Sequence, residues 1–181
     1  PGYLGTIAEG EAYNTPGEGN MVYTSPAESC GEAYTPIDAI QGSGAKSPLL
    51  GAELSLEGVV VGDFQNNVAA DDGDLNGIYV QDPTGDGDAA TSAGIFVYAP
   101  AAPDVQTGDH VRVRGIVSEY QGTTEVRASG LWFCSGGHHV APTELALPWT
   151  SPTAPEGYEG MRVSFPQALV VTELDALGRY G

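Results

Sequence analysis

Apolar residues recur at every second position along several short stretches of the chain, which is the period of a half-buried strand. In His110-Val111-Arg112-Val113-Arg114 the alternation is strict, so Val111 and Val113 face a core while His110, Arg112 and Arg114 face outward. Similar stretches predict strands over Leu54 to Phe64, Gly77 to Gln81, Gly94 to Tyr98, His110 to Tyr120, Thr124 to Phe133, Arg162 to Phe165 and Leu169 to Thr172. Gly58, Gly62 and Gly115 interrupt the longer strands, where interior glycines mark bulges or bends. Five or so strongly bent strands in about 100 residues fit a partly open Greek-key barrel. A short helix is expected around Thr35-Pro36-Ile37-Asp38-Ala39-Ile40, with Thr35 as N-cap and Pro36 at the first helical position, stopped by Gln41-Gly42-Ser43-Gly44.

Residues 1–29 carry Gly, Pro, Thr, Glu and the tyrosines Tyr3, Tyr13 and Tyr23 without a helical period. They read as an extended N-terminal arm ahead of a barrel domain over residues 30–181 with a C-terminal strand extension. Within the arm, Thr6-Ile7-Ala8 and Met21-Val22-Tyr23 have the form of strands that could add to a sheet edge, their own or a neighbour's.

Composition agrees with an all-β chain. Of 181 residues, 26 are Gly and 13 Pro, with 41% apolar and only 17% charged, which favours short strands and many turns over long helices. Charge changes the picture more. Asp and Glu total 24 against 6 Lys and Arg, for a formal net charge of -18, so the fold repels itself and repels phosphate backbones unless cations offset the acids. No stretch approaches the roughly 20 apolar residues of a membrane span. Pro1 is not a natural start, so the chain is expected to be a mature or excised piece of a longer product.

Two acid-rich loops flank the strand Gly77 to Gln81: Asp71-Asp72-Gly73-Asp74-Leu75-Asn76-Gly77 and Asp82-Pro83-Thr84-Gly85-Asp86-Gly87-Asp88. Oxygen ligands at alternate positions with turn-permitting glycines between them are what calcium needs. Candidate ligands are Asp72, Asp74 and Asn76 in the first loop and Asp82, Asp86 and Asp88 in the second; solvated turn residues are the competing reading. Twelve positions into the first loop's pattern stands Pro83 and not a bidentate Glu, which excludes a helix-loop-helix calcium site.

The two cysteines, Cys30 and Cys134, are far apart. In a cytosolic chain such a pair is usually two buried thiols, but one lysine, strong acidity and many turns point to a secreted, extracellular setting and so to a disulfide. Closing a loop of about 100 residues contributes on the order of 4 to 5 kcal/mol in the chain-entropy model. A nucleic-acid face would draw on Arg112, Arg114, Arg127, Tyr120 and Trp132, which mix cations with aromatics as single-strand binders do; the net charge disfavours it. No Ser/His/Asp, Cys/His or paired-carboxylate set shows catalytic logic.

Several short motifs recur in an order that resembles a known family. Cys30-Gly31, Ile40-Gln41-Gly42-Ser43-Gly44, Glu57-Gly58-Val59-Val60-Val61-Gly62-Asp63-Phe64-Gln65, Tyr79-Val80-Gln81-Asp82-Pro83, Thr91-Ser92-Ala93-Gly94-Ile95-Phe96-Val97-Tyr98 and Tyr158-Glu159-Gly160-Met161 look like the OB-fold domain of large secreted bacterial nucleases. The resemblance covers about residues 30 to 181 and implies an OB-fold-like barrel. In that family the domain precedes a metal-dependent endonuclease/exonuclease/phosphatase domain that does the chemistry. The expected function is therefore a non-catalytic, calcium-stabilised accessory module whose partners are other domains of its own protein. The alternative is a structural subunit of an extracellular filament or matrix, assembled from copies of itself through the N-terminal arm.

Overall fold

The computed structural model describes residues 12–13, 21–22, 28–65 and 75–170. In the arm, β1 (Ala12–Tyr13) and β2 (Met21–Val22) pair antiparallel with each other, forming a separate two-stranded sheet. The Thr6-Ile7-Ala8 segment lies outside the described residues. Helix α1 (Ile37–Gln41) follows, then the five barrel strands β3 (Glu53–Phe64), β4 (Gly77–Gln81), β5 (Gly94–Tyr98), β6 (His110–Tyr120) and β7 (Thr123–Ser135). A short β8 (Thr143–Glu144), a 3-10 turn over Ala154–Tyr158 and β9 (Val163–Ser164) complete the described chain.

The five long strands close in the order β3-β4-β5-β7-β6, which is the OB-fold-like Greek key that the alternation predicts. Closure depends on β3, whose first half pairs with β6 from Glu53 to Val59 and whose second half pairs with β4 from Val59 to Phe64. The β3–β4 ladder skips Val61 between Val60 and Gly62, and the β6–β7 ladder skips Cys134 and Ser129 on β7, so Gly62 follows a bulge residue and Gly115 lies opposite a bulge in the neighbouring strand. Gly58 sits at no such shift. It permits close packing instead, since a Cβ there would lie 2.7 Å from Val80 Cγ1. β7 runs parallel to β5 and antiparallel to β6.

Alternate residues of every barrel strand point inward, and Leu56, Val60, Ile78, Val80, Ile95, Val97, Val111, Val113 and Val126 are fully buried. Ile37 and Ile40 of α1 join the same core, and Gln41 Nε2 donates to Gly94 O at 2.6 Å, tying α1 to β5. The helix begins one residue later than the sequence predicts. Pro36 has ψ 145° and is itself the N-cap, while the Thr35 N–H is used by Ser55 O at 2.8 Å and so belongs to the barrel edge. Arg162 to Phe165 shrinks to Val163–Ser164, paired parallel with Thr143–Glu144, and Pro166 cannot continue a ladder. Leu169 and Val170 are exposed and lie in no strand, and Thr172 lies outside the described residues.

Cys30 and Cys134 form a disulfide, with Cα atoms 5.7 Å apart. It pins the segment that begins at Glu28 against β7, and this segment covers the first half of β6 around Arg112. Beneath it lies Arg112, which the alternation places on the outer face but which is only 2% exposed. Its guanidinium pairs with Glu28, and with Glu57 at 2.7 Å, and donates to the carbonyls of Glu32 at 3.1 Å and Ala33 at 3.0 Å. Glu57 also accepts the Gly31 N–H at 2.8 Å, and Glu28 the Ser55 hydroxyl at 3.0 Å. Glu28, within the stretch read as the arm, is thus part of the barrel's cover. The Arg112 hydrogen bond holds the Glu28 carboxyl below the usual carboxylate range, against the opposing effect of burial.

Removing one member of a buried, satisfied ion cluster strands the others. Arg112→Ala is expected to destabilise the protein by about 3–5 kcal/mol, read as a fall in the urea midpoint. Arg114 is one-third exposed where it meets Glu28 and Glu53, and Arg114→Ala is expected to cost about 1 kcal/mol or less. Equal losses for the two variants would remove the buried cluster as the anchor of residues 28–33.

Candidate functional site

On the outer face, two rows of cross-strand partners build an aromatic surface. One row runs Gly62, Tyr79, Phe96, Glu125, Ser118 across β3, β4, β5, β7 and β6; the next runs Phe64, Gly77, Tyr98, Arg127, Ile116. Side chains directly opposite each other in neighbouring strands are close enough to pack. Tyr79 and Phe96 meet with centroids 5.0 Å apart, and Phe64 stands edge-on to Tyr79 at 5.8 Å. Arg127 lies over the Tyr98 ring at 5.5 Å in a cation–π contact.

Together Tyr79, Phe96, Tyr98, Tyr120, Glu125 and Arg127 line a groove of about 440 Å³, within the roughly 300–1,000 Å³ of ordinary ligand clefts. Its mouth is bounded by Leu75 from the loop before β4, Gln121 from the β6–β7 turn and Thr123 at the start of β7. Gly77 makes the floor possible, since a Cβ there would lie 2.3 Å from Val97 O and 2.6 Å from the Phe96 ring. In the two-residue turn, Gln121 has φ 52° and Gly122 φ 90°, the conformation that matches strand twist in tight hairpins. That turn fixes Tyr120, 62% exposed, at the groove's lip, where its hydroxyl accepts from Gln121 Nε2 at 3.1 Å.

Polar groups behind the surface hold it in place. Glu125 accepts from the Ser118 hydroxyl at 2.8 Å and lies 3.9 Å from Arg127 Nε. Thr124 bridges two more acids: its N–H donates to Glu159 at 2.7 Å and its hydroxyl to Glu119 at 2.9 Å. Burial pushes the Glu159 carboxyl above the usual range; the Thr124 and Gln41 hydrogen bonds oppose the shift, and the charges of Glu156 and Glu119 add to it. Burial, and after it the Glu159 charge, likewise pushes the Tyr79 phenol up, so Tyr79 stays a hydrogen-bond donor at all ordinary pH.

Of the five residues expected to form a nucleic-acid face, only Tyr120 and Arg127 line the groove. Arg112 and Arg114 are engaged by the acids of residues 28–57, and Trp132 lines a separate concavity with Pro100, Pro103 and Gly130. The split follows from the cover over β6, which sequence alternation does not reveal. Reading for cations also passed over Tyr79, Phe96 and Tyr98. Their signal was present as Phe96 and Tyr98 at alternate positions of the strand Gly94 to Tyr98, with Tyr79 as the one aromatic of Gly77 to Gln81.

The second acidic loop is held by its own aspartates. Asp82 Oδ1 accepts from the Thr84 N–H at 2.8 Å, the Thr84 hydroxyl at 2.7 Å and the Gly85 N–H at 3.3 Å. Asp86 accepts from the Asp88 N–H and the Thr91 hydroxyl, and Asp88 from the Ala90 N–H. These are side-chain turns in which aspartate stands in for a backbone acceptor. Among the described residues no group of three or more His, Cys, Asp or Glu is arranged to hold a metal ion. Asp72 and Asp74 lie outside the described residues, and Asn76 has φ 54° at the entry to β4.

Glu159 generates a pH prediction. Its carboxyl is raised in the folded state, so the stability linked to its proton is fully present below the unfolded carboxyl pKa of about 4.3 and is lost as pH rises through the folded value. Glu159→Gln keeps an acceptor for Thr124 without the charge. The variant is expected to melt higher than the parent at neutral pH, with the gap closing below about pH 4. A gap that does not change with pH would remove the assignment.

No family model matches the chain, and no curated protein matches it. Among solved structures it is similar to one described as "OBody AM1L10 bound to hen egg-white lysozyme", with 22% identity, covering 56% of this chain and 94% of that one at a TM-score of 0.37. A likeness at that score carries no argument, and the barrel rests on its own strand pairing.

Proposed function

We propose that this chain is a non-catalytic ligand-binding module of a secreted protein, with the aromatic groove across β4, β5 and β7 as its binding face. The observation that carries the reading is the groove itself: four aromatic side chains from β4, β5 and the end of β6, with Gln121, Thr123, Glu125 and Arg127 set around them. This is the composition of a recognition cleft, and it lies on the face of the barrel that OB-type domains commonly use. The Cys30–Cys134 disulfide fits an oxidising compartment, and among the described residues no helix is long and apolar enough to cross a membrane. In the secreted-nuclease setting that the sequence motifs resemble, such a module would hold or position material for a neighbouring domain.

Titration of isotope-labelled protein with mixtures of small sugars, nucleosides and peptides tests the reading. Amide shifts are expected to concentrate on β4, β5, β7 and the Tyr120-Gln121-Gly122 turn. Shifts centred on the Asp82–Thr91 loop would sink it.

Calcium belongs to the same reading as a stabilising ion. Its oxygen donors would come from Asp82, Asp86 and Asp88, which now cap turns, and from the loop containing Asp72 and Asp74. Calcium at about 100 times its dissociation constant is expected to stabilise the fold by about 2.7 kcal/mol, read as a rise in melting temperature that a chelator reverses. An unchanged melting temperature would mean that no ion binds either loop.

A further inference from the structure

The groove's surroundings narrow its ligand class, an inference that rests on the binding-face reading above. A nucleic-acid strand brings one negative charge per nucleotide and is held mainly by cations that neutralise phosphates. Among the described residues three arginines have other partners, and Lys46 does not line the groove. Arg112 is buried against Glu28 and Glu57, Arg114 meets Glu28 and Glu53, and Arg162 donates to Val140 O at 3.3 Å. Within the groove, Arg127 lies over Tyr98 and 3.9 Å from Glu125, so the lining carries one positive and one negative charge. Beyond it lies a chain of net charge -18, which repels any polyanion that approaches.

A bound peptide strand is disfavoured for a different reason. Peptides that bind β proteins commonly add to an open sheet edge, and a closed barrel presents none along the groove. The lining is also phenolic more than aliphatic: Tyr79, Tyr98 and Tyr120 each pair an apolar ring with a hydroxyl. Gln121, Thr123 and Glu125 add amide, hydroxyl and carboxylate groups around the same rings. A pyranose has the complementary form, with C–H groups on its faces to lie on aromatic rings, hydroxyls around its edge for polar partners, and no charge.

We propose that the groove binds a neutral oligosaccharide chain, with sugar rings stacked on Tyr120 and packed against the Tyr98–Arg127 pair, and their hydroxyls bonded by Gln121, Thr123 and Glu125. A module of this kind would retain its protein on a glycan surface that does not oppose its negative charge.

The test is calorimetric titration of the whole chain with four neutral hexasaccharides: β-1,4-linked glucose, xylose and N-acetylglucosamine, and α-1,4-linked glucose. A thymidine dodecamer serves as the polyanion. Binding is expected for at least one glycan, with an affinity that changes little between about 50 and 200 mM salt, where a strand held by phosphate contacts loses orders of magnitude. Tyr120→Ala, at an exposed position, and Tyr98→Ala are each expected to weaken it about tenfold or more, comparable to the loss of one base-stacking ring in single-strand binders. Unchanged circular dichroism and melting temperature show that the variants fold. If the dodecamer binds with the same dependence on Tyr98 and Tyr120 and no glycan does, the glycan proposal is overturned while the binding face stands. Binding by no probe, together with no amide shifts on the groove, overturns both. Glycan binding indifferent to both tyrosine variants places the site elsewhere, and self-association abolished by Tyr120→Ala makes a second copy the occupant; either result overturns the proposal.

Discussion

Closure of the barrel is the constraint from which the other features follow. Because β3 bonds to β6 along one half and to β4 along the other, the strands form a ring and inward positions are filled by Val, Ile and Leu. Every other residue is then committed to the outer face. That face has two fates. Over the first residues of β6 it is covered by residues 28–33, so Arg112 becomes a buried charge that needs Glu28, Glu57 and two carbonyls to be tolerable. Over β4, β5 and β7 it is uncovered and its aromatic rows form the groove.

The acidity of the chain acts differently in the two regions. Around Arg112 the carboxylates are necessary, since an unpaired guanidinium at 2% exposure would carry a heavy desolvation cost. Behind the groove they are crowded: Thr124 serves both Glu119 and Glu159, and Glu119 Oε2 is buried without a hydrogen-bond partner. The barrel therefore gains from its acids on one side and is burdened by them on the other. Titration through the acidic range changes the two sides in opposite directions, because the Glu28 carboxyl is lowered and the Glu159 carboxyl raised.

Much of this architecture was legible in the residues. Gly77 to Gln81, Gly94 to Tyr98 and His110 to Tyr120 are read with their observed ends, because a strand with one buried face has a period that turns and glycines bound clearly. The disulfide was legible from composition and setting. The groove was not, since its rows join residues from β3, β4, β5, β7 and β6 through registers set by the bulges at Val61 and Ser129. Arg112 misled for a related reason: alternation says which way a side chain points, and says nothing of what another segment lays over it. Strand β8 escaped notice because a two-residue strand has no measurable period, and its partner β9 is one residue shorter at each end than the expected Arg162 to Phe165.

The disulfide has a mechanical consequence. Tension applied along the chain from residues before Cys30 to residues after Cys134 would pass directly across the sulfur–sulfur bond. All five barrel strands, apart from the last residue of β7, lie inside the covalent loop and would carry no load while it is intact. A protein tethered at one end and pulled at the other would keep its barrel folded, and the groove in shape, until the bond is reduced.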